Sequence, residues 1–95
     1  MTVDEFMAYI KNHKDASGVD LSGLDLSNLR FRKFNFRGSN LSGCNLSQCD
    51  LSGSDLTRAN LRGANLDNAI LRNTIFVRAN LTVTNIRAAD LREAD

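Results

Sequence analysis

Residues 59–71 read Ala59-Asn60-Leu61-Arg62-Gly63-Ala64-Asn65-Leu66-Asp67-Asn68-Ala69-Ile70-Leu71. A leucine returns at every fifth place, with an alanine two places before it. Extended in both directions, the same register picks out Leu21, Leu26, Phe31, Phe36, Leu41, Leu46, Leu51, Leu56, Leu61, Leu66, Leu71, Phe76, Leu81, Ile86 and Leu91. Every one is large and apolar. A sustained internal period marks a repeat architecture and takes precedence over local signals.

A spacing of five fits neither regular element. On an α-helix five residues turn about 500°, so successive leucines would land about 140° apart and form no stripe. On a straight strand the side chain changes face at each repeat. The chain must therefore change direction once per pentad. From residue 39 onward, the place two before the large residue is small: Ser39, Cys44, Cys49, Ser54, Ala59, Ala64, Ala69, Thr74, Ala79, Thr84 and Ala89, with Ala94 in the same register. A separation of two puts both on the same side of a short strand. The corner follows. All six glycines occupy the second place after the central residue, a register shared by Asn28, Asn68 and Asn73. Glycine and asparagine accept the positive φ that the third residue of a type II turn requires. There is no proline, as expected if nearly every backbone N–H serves a ladder.

Units such as Ala59-Asn60-Leu61-Arg62-Gly63, Ala64-Asn65-Leu66-Asp67-Asn68 and Ala79-Asn80-Leu81-Thr82-Val83 resemble the A(D/N)LXX unit of pentapeptide-repeat proteins. The resemblance runs from Asp20 to Asp95. It implies an all-β solenoid, a right-handed quadrilateral parallel β-helix of about four coils, with four pentads closing each coil. The four-sidedness comes from the resemblance; the spacing alone demands only a corner. Residues 14–95 are assigned to this β-helix and residues 1–13 to an N-terminal α-helical cap.

The cap is read from the residues themselves. Thr2 and Glu5 form a capping-box pair, and Val3, Phe6, Met7 and Ile10 make one apolar stripe over Met1 to Asn12. The polar face carries Asp4 and Glu5 where a membrane-surface helix would carry a basic row, so the helix is expected to lid the solenoid. The first coil has bulky inward residues, Val19, Leu24, Leu29 and Phe34, which should meet Phe6, Met7 and Ile10.

Ninety-five residues with a net charge of +1 make one small domain with no strong bias toward polyanions. No apolar run suits a membrane span or signal peptide, and a cytoplasmic location is the simplest expectation. No cofactor or metal is expected, since His13 is the single histidine. Cys44 and Cys49 lie at inward positions on adjacent sides, which favours buried free thiols over a bridge. No catalytic set, phosphate-cradling loop or substrate pocket is expected.

With twenty residues per coil, outward residues sort into columns. Two adjacent sides carry Arg30, Arg32, Lys33, Arg37, Arg58, Arg72, Arg78 and Arg92, interrupted by Asp50, Asp55, Asp90 and Glu93. Ile70 and Ile75 stand where the repeat has Asn or Asp, with Val77 beside them, a candidate contact surface. Ile86, Leu91 and Ala94 in the last coil are candidates for an end-to-end homodimer; the other option is a shortened form of a longer repeat protein. Three functions are compatible with these residues. The first is a non-enzymatic structural or protein-interaction module with an unknown protein partner. By family analogy, the second is a DNA-mimicking modulator of gyrase or topoisomerase, for which this near-neutral chain lacks the acidic surface. The third is an anion or nucleic-acid binder on the basic sides, weakened by the lack of outward aromatics to stack bases. The first is preferred.

Overall fold

Thr2 initiates the only helix. In the computed structural model, which describes residues 1–95, its hydroxyl accepts the Glu5 N–H at 3.1 Å while the Glu5 carboxylate accepts the Thr2 N–H at 2.7 Å. This closed capping box starts α1, Val3–Ile10. Phe6 is fully buried, its ring centroid 6.0 Å from that of Phe31, and Val3 and Ile10 pack on the same core. Met7 departs from the expected stripe and is exposed. It stands about 100° round the helix from Phe6, off the side that meets the first coil.

From Asp15 onward, parallel bridges join each position to the one twenty residues later, from Asp15–Asn35 to Ile70–Asp90. One circuit therefore takes four pentads. Residues 15–34, 35–54, 55–74 and 75–94 form four stacked coils. The molecule measures 30 × 23 × 22 Å. No helix is long and apolar enough to cross a membrane.

The pentad around Leu41 shows why the repeat has its composition. Asn40 N–H donates to Val19 O of the preceding coil at 2.9 Å. Leu41 and Gly43 N–H donate to Asn60 O and Arg62 O of the following coil at 2.7 and 2.9 Å. Cys44 N–H closes the corner on Leu41 O at 3.2 Å. That leaves Ser42 N–H, which the ladder does not reach, and Asn40 Oδ1 accepts it at 3.0 Å. The Asn/Asp of the repeat is thus an Asx turn serving the one amide that stacking cannot satisfy. The same bond forms at Asp15, Asp20, Asp25, Asn35, Asn45, Asp50, Asp55, Asn60, Asn65, Asn80 and Asp90, at 2.9–3.2 Å.

Every corner takes a positive φ at the second place after its central residue. Lys33, Gln48, Arg58, Arg78, Val83, Ala88 and Glu93 adopt it too, at 48–61°. The fold imposes this conformation whatever the side chain. Val83 is its least suited occupant, because a β-branched residue crowds its own backbone there.

Inside, the central residues from Leu21 to Leu71 are buried without a gap. Phe31, Phe34 and Phe36 fill the wide first turn with centroids 5.4–5.7 Å apart. The small inward residues supply more than room. Cys44 and Cys49 thiols and Thr74 and Thr84 hydroxyls donate to the central carbonyls of Leu21, Leu26, Leu51 and Leu61 at 2.7–2.9 Å, and Ser54 does the same to Phe31 O. Ser39 Oγ alone is buried without a partner. Both cysteines are free thiols, and burial pushes Cys49 up to about 11 and raises Cys44.

Leu61→Ala should lower stability by about 2–5 kcal/mol in urea denaturation, because the hydrogen-bonded coils on either side cannot close onto the gap. Val83→Asn should raise it by about 1 kcal/mol in the same measurement, since asparagine tolerates the left-handed conformation and the exposed valine has little packing to lose.

Candidate functional site

The outward residues of two adjacent sides concentrate the departures from the repeat. On the first, residues thirty, fifty, seventy and ninety form a column of Arg30, Asp50, Ile70 and Asp90. On the second, the column runs Asp15, Asn35, Asp55 and Ile75. All eight basic residues singled out in the sequence lie on these sides and are exposed. Half of them are paired with carboxylates. Arg32 meets Asp50 at 3.5 Å, Arg37 meets Asp55 at 2.8 Å, and Asp90 takes Arg92 at 2.7 Å and Arg72 at 4.0 Å. Arg30, Lys33, Arg58 and Arg78 have no carboxylate within ion-pair distance. The two sides therefore carry a mosaic of pairs and free cations, not a continuous basic face.

The carboxylates are held ionised. Partial burial works against the charge of Asp50 and Asp55, but the hydroxyl and N–H of Ser52 and Thr57, with Arg32 and Arg37, outweigh it and lower both. Hydrogen bonds from Arg92 lead in drawing Asp90 down to about 2. On another side, Arg87 does the same for Asp67 through a 2.9 Å pair and its own N–H.

Three pentads lack the Asx residue, at Arg30, Ile70 and Ile75. The backbone N–H groups of Arg32, Arg72 and Val77 consequently have no acceptor within the chain. Ile70 and Val77 are exposed, at 40% and 43%, while Ile75 is half-buried between them. Next to Ile70 the surface dips into an open depression of about 530 Å³, lined by Asn28, Leu29, Arg30, Arg32, Gln48, Asp50 and Ile70. The interior is filled; the depression lies on the outer wall, where Leu29 is only partly buried. Sequence reasoning missed Asn28, Leu29 and Gln48. The signal available was Arg30, which breaks the register as Ile70 does.

At the far end of the solenoid the fourth coil is covered on one face only. Leu81, Ile86 and Leu91 are 41–43% exposed, and Ala94 is half-buried. The N–H groups of Leu81, Val83, Ile86, Ala88, Leu91 and Glu93 have no acceptor. No group of three or more His, Cys, Asp or Glu side chains is arranged to hold a metal ion.

The chain is similar to two solved structures from cyanobacteria. One is the pentapeptide repeat protein Rfr23 from Cyanothece 51142, at 33% identity and a TM-score of 0.80, over 85% of this chain and 53% of that one. The other is HetL from Nostoc sp. strain PCC 7120, a pentapeptide repeat protein involved in heterocyst differentiation regulation, at 27% identity and a TM-score of 0.68, over 99% of this chain and 48% of that one. The chain thus spans about half the length of each. A search of curated protein sequences finds no significant match. The family model for pentapeptide repeats (8 copies) matches residues 35–73 and 59–95. With that match added to the twenty-residue circuit and the Asx-turn register, the chain belongs to the pentapeptide-repeat family.

Proposed function

We propose that this protein is a non-enzymatic interaction module that binds another protein through the wall carrying Ile70, Ile75 and Val77. The observation behind this reading is the exposure of Ile70 and Val77 on a surface whose other outward residues are almost all polar. Neither isoleucine contributes to the interior, and each forgoes an Asx turn. Exposed apolar groups gathered on adjoining sides mark contacts more often than isolated ones do. A solenoid held by ladders on all four sides presents them rigidly, which limits the ordering cost of binding. The ion pairs of Arg32, Arg37, Arg72 and Arg92 with Asp50, Asp55 and Asp90 argue against a wall built for nucleic acid.

A second contact is proposed at the open edge of the fourth coil. Leu81, Ile86 and Leu91 expose apolar surface beside free N–H groups and the free carbonyls of Ala79, Thr84 and Ala89, so this edge holds both donors and acceptors for backbone pairing with the same edge of another copy. Ile86, Leu91 and Ala94 would lie at the centre of that homodimer.

Affinity capture from the native host with the wild-type chain should retain a specific partner that Ile70→Asp with Val77→Asp releases; equal recovery by both would sink the wall reading. Sedimentation at tens of micromolar should give a dimer that Leu91→Asp converts to monomer. A wild-type chain that stays monomeric at that concentration rules out self-pairing.

A further inference from the structure

We propose that the depression beside Ile70 receives an acidic residue of an extended protein segment, whose carboxylate supplies the acceptor that the Arg30 pentad lacks. The inference rests on the reading of this wall as a protein-binding surface and names the partner's chemistry.

Twelve pentads fix where an accepting oxygen belongs: 2.9–3.2 Å from the nitrogen of the N–H at the place after the central residue, supplied there by an Asn or Asp of the same pentad. In the pentad of Phe31 that residue is Arg30, and the Arg32 N–H faces outward with no acceptor in the chain. The side chain that replaces the missing acid is a cation, so the charge at this point of the wall is reversed. Arg30 pairs with no carboxylate, whereas its neighbour Arg32 is already held by Asp50 at 3.5 Å. The depression therefore offers one free guanidinium, one free N–H and the partly exposed apolar groups of Leu29 and Ile70. A carboxylate matches the first two and an adjacent aliphatic side chain the others.

Asp50 is the one charge in the depression that opposes an incoming acid. Its bonds from Ser52 and its pair with Arg32 already engage it; Arg30 also lowers its pKa through space but lies beyond ion-pair distance, so its guanidinium stays open to the ligand. A phosphate would gain from Arg30 as well. The leucine-like floor and the single free cation favour a carboxylate with an apolar neighbour over a polyanionic backbone, which rewards several cations in a row.

The test uses the ¹⁵N-labelled 95-residue chain and a capped pentapeptide alternating leucine and glutamate, with its glutamine counterpart and a single-stranded oligonucleotide as the other probes. Titration with the glutamate peptide should shift the Arg32 amide, and the glutamine peptide should bind about tenfold more weakly. Arg30→Asn restores the repeat's own Asx turn; it should leave the fold at least as stable to heat while weakening the glutamate peptide about tenfold. Arg62→Gln, on a different side, should leave binding unchanged. Equal binding of the two peptides, or of Arg30→Asn and wild type, overturns the carboxylate assignment. So does an Arg32 amide unmoved at about 5 mM glutamate peptide, or one that the oligonucleotide shifts at lower concentration. Ile70→Asp separates the two levels. If it removes peptide binding while Arg30→Asn does not, the wall stands and the acidic partner falls. If the glutamate peptide binds Ile70→Asp as well as wild type, the wall reading itself falls.

Discussion

The stacking of coil on coil is the constraint to which every residue of residues 15–95 answers. Three of the five amides in a pentad are committed to neighbouring coils, one to the corner and one to the Asx side chain, as the Leu41 pentad shows. A buried amide left without a partner costs about 1–3 kcal/mol, so the pattern cannot drift by a residue at one pentad without penalties that repeat around the circuit. The corner conformation follows from the same requirement. Arg58, Arg78 and even Val83 take positive φ, because bending elsewhere would break ladder bonds on both sides.

The interior adds selectivity rather than connectivity. A leucine or phenylalanine at the centre and a small residue two places earlier fill a channel whose width the ladder has already set. Where the small residue is Cys, Thr or Ser54, it donates to the central carbonyl of the coil below, which is how Thr74 and Thr84 are accommodated in an apolar stack; Ser39 is the exception. The first coil uses larger residues because its open side is closed by Phe6 rather than by another coil, and the Phe31, Phe34 and Phe36 cluster is the transition between the two kinds of packing.

The central positions were readable directly, since no ordinary helix or strand explains Leu21 to Leu91 at intervals of five. The capping box of Thr2 and Glu5 was equally plain. The number of sides was not: a corner every five residues is compatible with other polygons, and the twenty-residue circuit was supplied by resemblance to known repeats. Features that depend on neighbours in different coils were therefore hard to see. Arg37 meets Asp55 across eighteen positions and Arg87 meets Asp67 across twenty, so the sequence shows their charges but not their pairing. Glycine and asparagine mark only nine of the sixteen corners. The rest carry residues that no turn rule would choose, because closure of the coil overrides local preference. Met7 failed for the opposite reason. Its spacing was correct, but α1 is only eight residues long and seats a single row on the first coil.

The places where function can be written into such a molecule are limited by this division of labour. An inward residue cannot change without a cavity or a clash, and a laddered amide cannot be spared. The Asx residue is different. It lies outside, serves one amide that water can also reach, and contributes about 1 kcal/mol, so its replacement is tolerated. Arg30, Ile70 and Ile75 are all replacements of that kind, and they fall on two adjacent sides rather than at random around the circuit. Each exchange exposes a backbone donor and at the same time installs a cation or an apolar group beside it. A surface assembled from such exchanges differs in chemistry from the rest of the wall while leaving the solenoid's geometry intact, which is the combination a rigid recognition surface requires.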